Sequence, residues 1–117
     1  MAATSPQEPF KRINVEEAQQ LIASGNVELI DVRQPAEYAV GHIRGAKLIP
    51  VDALFERIGD LADDRDVVFY CAVGVRSALA CEIGAAMGLT RCHNVEGGFD
   101  AWTAADYPSE TETATLN

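Results

Sequence analysis

A chain of 117 residues is the length of one domain and is long enough to bury a core without disulfide or metal staples. Its 18 acidic against 9 basic side chains give a formal charge of −9, which excludes the clustered Lys and Arg of a nucleic-acid or anionic-membrane surface. No apolar run approaches the ~20 residues of a membrane span, and the opening MAATSPQEPFKR has no apolar export core. The 3 cysteines, an odd count without zinc-type spacing, point to a reducing, cytoplasmic setting.

Residues 1–9 are small and polar and predict a flexible lead-in. Residues 10–13 predict a short edge strand. Asn14 and Glu17 form a capping-box pattern, and Val15, Ala18, Leu21 and Ile22 recur at helical spacing up to Gly25, which predicts a helix over 15–23. Residues 27–32 (VELIDV) read as a buried parallel strand. Pro35 precedes a short helix over 36–40, and residues 46–49 form another short strand closed by Pro50. Asp52 is expected to cap a helix over 53–61 whose apolar face is Leu54, Phe55 and Ile58. After a polar turn, residues 67–70 (VVFY) are the most strongly β stretch and predict a central strand. A loop from Cys71 leads to a helix over about 75–87 with Gly88 at its end. A strand over 91–95, a Gly97–Gly98 turn and a short helix through Trp102 complete the core. Residues 108–117, rich in Thr and Glu, are expected to be a flexible tail, leaving 10–107 as the domain. Strands alternating with helices predict one α/β domain with a mostly parallel sheet and helices on both faces.

Ligands of such sheets bind beyond the carboxyl ends of the strands, and Cys71 follows the central one directly. The segment Tyr70-Cys71-Ala72-Val73-Gly74-Val75-Arg76-Ser77 reads as strand, turn and helix start. Gly74 can take positive φ, so that successive N–H groups of the small-residue loop converge as an anion nest. The helix N-terminus adds partial positive charge, and Arg76 adds a full one. A thiol there is expected to be a thiolate at neutral pH and to attack a small anionic sulfur or phosphorus compound. Cys81, mid-helix between Ala80 and Ile83, reads as a packed small residue. Cys92 has polar neighbours and is expected to be partly exposed, without an activating group.

The chain resembles the rhodanese family over about residues 10–102. The resemblance is carried by Leu29-Ile30-Asp31-Val32-Arg33, by Glu37-Tyr38-Ala39-Val40-Gly41-His42-Ile43-Arg44-Gly45-Ala46, by Ile49-Pro50, by the Cys71 loop, and by Val95-Glu96-Gly97-Gly98-Phe99-Asp100-Ala101-Trp102. Only one such unit is present, as in single-domain members. The resemblance implies a sulfurtransferase with Cys71 as nucleophile and persulfide carrier. Ala72, Val73, Gly74, Val75, Arg76 and Ser77 would hold the donor's anion and the terminal sulfur. A small anionic sulfur donor such as thiosulfate is implied, with cyanide, a thiol or a sulfur-carrier protein as acceptor, and no metal or organic cofactor. Phosphatases of the same fold place their Arg one position later than here, where four residues separate Cys71 from Arg76. The tighter loop suits a single sulfur better than a phosphoryl group. Many relatives carry a basic residue where Ala72 stands, which leaves Arg76 and the backbone to attract an anion.

Supporting roles are expected of Asp31 and Arg33, with Asp31 accepting hydrogen bonds from the loop or from Arg33. Arg33 and Glu37 alternatively pair around the Pro35 turn. His42 reads as a packed, hydrogen-bonded histidine, since an ionised thiol needs no base. Phe99 and Trp102 read as core, and Gly97 and Gly98 as a turn bordering the active mouth. Four functions compete: a stand-alone sulfurtransferase, a relay partner loaded by another protein, a non-catalytic binding module and, last, a phosphatase. The intact Cys71 and its loop argue against the binding module.

Overall fold

Asn14 both ends the first strand and starts the first helix. In a computed structural model, which describes residues 8–61 and 63–111, strand Lys11–Ile13 (β1) runs into helix Val15–Ser24 (α1). The Asn14 side chain accepts the Glu17 N–H at 2.8 Å, and the Glu17 carboxylate accepts the Asn14 N–H at 2.9 Å. This is the capping box read from the sequence. Val27–Asp31 (β2) is followed by Pro35–Val40 (α2), where Pro35 sits in the first turn and forfeits no intrahelical bond. Two short strands, His42–Ile43 (β3) and Lys47–Leu48 (β4), precede a short helix, Leu54–Arg57 (α3), flanked by 3₁₀ turns. Then come Asp66–Tyr70 (β5), Val75–Ala86 (α4), Cys92–Val95 (β6), Gly98–Ala104 (α5) and Ser109–Glu110 (β7).

The main sheet has the order β1-β6-β5-β2-β4, with every neighbouring pair parallel and β5 in the centre. Alternation along β5 sends Val67 and Phe69 to one face and Val68 and Tyr70 to the other. On the first face they pack with Ile30 of β2, with Val32 just after it, and with Leu54, Ala80 and Cys81 of helices α3 and α4. On the second they join Leu29, Val95, Ala18 and Trp102, which brings in α1 and α5. Each fully buried large aliphatic or aromatic side chain in these layers contributes about 1.5–3 kcal/mol of transfer free energy. The α/β architecture with helices on both faces is therefore as the alternation of strands and helices predicts. Among the described residues no helix is long and apolar enough to cross a membrane.

Two expectations change. Residues 53–61 do not form one helix capped by Asp52. Pro50 starts a 3₁₀ turn over Val51–Ala53, α3 is a single turn, and Phe55 points to solvent at 64 % exposure while Leu54 and Ile58 face the core. Three consecutive short turns rotate the apolar stripe away from Phe55. The domain also extends past residue 107. Trp102 Nε1 donates to the Pro108 carbonyl at 2.8 Å, and Ser109–Glu110 pairs antiparallel with β3. The buried indole needs an acceptor, and it ties down the segment expected to be a tail. The remainder of the expected tail and lead-in, 112–117 and 1–7, lies outside the described residues.

Candidate active site

Parallel register carries Asp31 and Tyr70 to the same sheet edge, and Cys71 is the next residue of the central chain. Its carbonyl accepts the Phe99 N–H at 2.8 Å, and the Ala72 carbonyl accepts the Asp100 N–H at 3.1 Å, so α5 holds the start of the loop from below. Gly74 then turns at φ 104° into α4, a conformation disfavoured for residues with a Cβ. Gly74 contributes no capping side chain. The sulfur of Cys71 takes that place: it accepts N–H bonds from Gly74 at 3.1 Å and from Ser77, in the first turn of α4, at 3.4 Å. The Ser77 hydroxyl lies 3.4 Å from the same sulfur. Helix N-terminus and nest thus converge on one atom, as the spacing predicts.

Burial pushes the Cys71 thiol up, and the bonds to its sulfur, from the Ser77 hydroxyl where its proton faces the sulfur and from the Ser77, Gly74 and Val73 N–H groups, outweigh it, so the group sits below the ordinary thiol value. The other two thiols have no such donors to offset their burial. Cys81 is pushed up strongly, with Cys92 nearby adding to the effect, and Cys92 is pushed up to about 11. Cys92 is also buried, at 2 % exposure, rather than partly exposed as expected. Its side chain lies on the α4 face of β6, against Gly84. All three cysteines are free.

Arg76 supplies the positive charge the sequence places beside the loop, and that charge is paired. Its guanidinium forms a bidentate ion pair with Glu37 of α2, at 2.8 and 3.0 Å. The pair raises the Arg76 pKa and lowers that of Glu37 to about 2, the Arg76 hydrogen bonds being the largest cause. Glu37 is thereby taken from Arg33, which bonds Asp31 instead: Nε to Oδ1 at 3.0 Å and Nη2 to Oδ2 at 2.7 Å. Arg33 also donates to the Gly41 carbonyl at 2.6 Å and lies over the Phe99 ring at 4.6 Å. Asp31 accepts from Arg33, as one of its two expected partners, and the pair is buried beneath the loop rather than exposed to a ligand. His42 is packed: its ring stacks on Tyr38 at 3.7 Å between centroids, and Nδ1 meets the Tyr38 carbonyl at 2.8 Å. Ala72 is half-buried, and Val73 and Val75 are exposed, giving the mouth an apolar rim.

One buried residue at the site went unread in the sequence. Asn94, on β6 opposite Phe69, donates Nδ2 to the Gly74 carbonyl at 3.1 Å and meets the Ser77 hydroxyl at 2.5 Å. The available signal was a carboxamide within the strand predicted over 91–95, where a buried polar group needs partners. Among the described residues no three of His, Cys, Asp or Glu converge as metal ligands do.

The model of the family described as "Rhodanese-like domain" matches residues 14–105, and the chain belongs to that family. A sulfurtransferase of Allochromatium vinosum is 38 % identical over 91 residues, covering 78 % of this chain and 85 % of that protein. The thiosulfate sulfurtransferase GlpE of Ectopseudomonas mendocina is 34 % identical over 102 residues, covering 87 % and 92 %. The Bacillus subtilis protein YqhL is 41 % identical over 75 residues, which are 64 % of this chain and 60 % of that one. Among solved structures, the human single-domain sulfurtransferase TSTD1 superposes with a TM-score of 0.75 at 28 % identity, covering 80 % of this chain and 95 % of that one.

Proposed function

We propose that this chain is a sulfurtransferase that carries a sulfane sulfur as a persulfide on Cys71. The donor is a small anionic sulfur compound such as thiosulfate, and the acceptor is thiophilic: cyanide, a thiol or a sulfur-carrier protein. The observation that carries this reading is the convergence of the Gly74 and Ser77 N–H groups on the Cys71 sulfur at the start of α4. In the first step the thiolate attacks the outer sulfur of thiosulfate. A bond forms between the two sulfurs, and the donor's sulfur–sulfur bond breaks with its electron pair leaving on sulfite. The persulfide's charge then sits on the outer sulfur, within reach of the loop's N–H groups. In the second step the acceptor attacks that outer sulfur and Cys71 departs as thiolate. The three free thiols are those of a reducing, cytoplasmic setting, which is the location proposed for the chain.

Intact-protein mass spectrometry after incubation with thiosulfate tests the reading. Wild type gains one sulfur, lost again on adding cyanide, and Cys71→Ser gains none. Absence of any gain on wild type overturns the thiosulfate donor. A second reading is a relay loaded by another protein. Two observations favour it: Arg76 is held by Glu37, and Ala72 stands beside the cysteine, so the mouth presents apolar Val73 and Val75 to a partner. Loading by a cysteine desulfurase without loading by thiosulfate selects the relay.

A further inference from the structure

Behind Cys71 the hydroxyl of Ser77, the carboxamide of Asn94 and the carbonyl of Gly74 form a short chain of polar groups. Ser77 and Asn94 are both fully enclosed, at 0 % and 1 % exposure. The Gly74 carbonyl can only accept, and it takes both the Ala78 N–H at 3.3 Å and Asn94 Nδ2 at 3.1 Å. Turning the carboxamide over would set two acceptor oxygens against each other, so its oxygen must face Ser77. That oxygen has no proton of its own. At 2.5 Å from the Ser77 oxygen, the proton between them is the hydroxyl's. A serine has one such proton. Toward the Cys71 sulfur, 3.4 Å away, Ser77 therefore turns a lone pair.

We propose that Asn94 is a positioning residue that holds the single Ser77 proton away from Cys71, leaving the backbone N–H groups of the loop and the charge of Arg76 to carry the thiolate. A hydroxyl at this distance from a thiolate would otherwise count as a donor. A neutral thiol can give its S–H to the Ser77 lone pair. A thiolate must face that lone pair or draw the proton from Asn94, which strands a buried carboxamide oxygen. Asn94 thus favours states in which the Cys71 sulfur is uncharged. One is the resting thiol. The other, resting on the sulfur-transfer reading, is the persulfide, whose charge lies on the outer sulfur. The thiolate between them is the less stabilised state, which makes it the stronger nucleophile when a donor arrives.

The charged group in electrostatic reach of the sulfur is Arg76, on α4, with its partner Glu37 from α2. The Asp31–Arg33 pair at the end of β2 and Asp100 on α5 lie around the same loop. None of these contacts Asn94 or Ser77 through a hydrogen bond of the chain described above, so replacing Asn94 leaves their charges in place.

The test is the pH dependence of Cys71 alkylation by iodoacetamide in the reduced protein, a measurement that needs no sulfur transfer and so fails or succeeds independently of the proposed function. Asn94→Leu keeps the volume and removes the oxygen. The Ser77 proton is then free to reach the thiolate, and the alkylation midpoint falls by about one pH unit. Adding Ser77→Ala to Asn94→Leu abolishes that fall. An unchanged or raised midpoint in Asn94→Leu overturns the proposal, because loss of mere loop support weakens the anion cradle. Should Asn94→Leu not fold, Ser77→Ala alone decides. The midpoint stays or drops if the hydroxyl gives the thiolate nothing, and a rise of about one unit shows it to be a donor and overturns the proposal.

Discussion

The guanidinium of Arg76 is closed on the carboxylate of Glu37, bridging α4 and α2 with a bidentate pair at 2.8 and 3.0 Å. The positive charge nearest the proposed donor site is therefore already answered. Glu37→Gln removes the carboxylate charge and releases Arg76 toward the mouth. The expected result is a KM for thiosulfate lower by about two- to fivefold, with kcat little changed. The gain should shrink as ionic strength rises, since both groups are partly exposed. Steady-state kinetics at low and high salt check both points.

The same pair sets a pH window for stability. Arg76 lowers the Glu37 pKa to about 2, well below the ordinary carboxylate value. A depressed carboxylate contributes stability that is fully present above its unfolded pKa and is lost as pH falls toward its folded one. The window is thus about pH 5 down to 2. Both side chains are more than a third exposed, at 36 % and 38 %, so screening reduces the contribution to less than about 1 kcal/mol. Urea unfolding of wild type and Glu37→Gln at pH 6 and pH 3 should show wild type ahead at the higher pH and the difference narrowing at the lower.

Much of the site was legible because its parts are local in sequence. Strand 67–70, Cys71, Gly74 and the helix start follow one another, and backbone chemistry alone places the N–H groups on the sulfur. The capping box at Asn14 was readable for the same reason. Long-range choices were not. Glu37 had two arginines within reach of its turn, and nothing local showed that Arg33 would bury itself against Asp31 while Arg76 crossed from the loop. Asn94 is distant from Ser77 in sequence, and only the β5–β6 register brings them together. The same held for Ser109–Glu110, whose polar composition suggested a tail until the Trp102 indole and β3 supplied partners.

The cysteines should differ sharply in reactivity. Cys71, Cys81 and Cys92 are equally enclosed, at 1 %, 0 % and 2 % exposure, so ionisation rather than exposure separates them. Only the Cys71 thiol is lowered, while burial raises the other two. Native protein in excess iodoacetamide at pH 7 is expected to gain one adduct, mapped to Cys71 by peptide mass spectrometry. Alkylation in denaturant should modify all 3 cysteines. Early modification of Cys92 in the native state would falsify this ordering.

Gly98 has no room for a methyl group. Its φ is 56°, and a Cβ there would meet the Cys71 carbonyl oxygen and lie 2.6 Å from that of Ala72. Both contacts are backbone and cannot swing aside. Gly98→Ala should push α5 off the loop, break the Phe99–Cys71 bond and destabilise the fold by about 2–4 kcal/mol. Sulfur loading should fall more than tenfold even where the variant remains folded. The neighbouring exposed-helix change Thr103→Ala is a suitable control, since it alters α5 without touching the loop.

Tyr70 links the strand end to the segment that follows α2. Its hydroxyl oxygen accepts the Ile43 N–H at 3.0 Å and also bonds Asp31, and burial is the main reason its pKa is raised. Tyr70→Phe keeps the ring in the core and strands a buried N–H, since Ile43 is 1 % exposed. The cost of an unmet buried donor is about 1–3 kcal/mol. Urea unfolding should show a lower midpoint with an unchanged slope, the mark of lost stability rather than altered compactness. The groups that meet the Cys71 sulfur are those of Gly74 and Ser77, on the loop and α4. The alkylation midpoint of Cys71 should therefore stay where it is in Tyr70→Phe, and a shift there would show that the Asp31–Tyr70 network, and not the loop alone, sets the thiol.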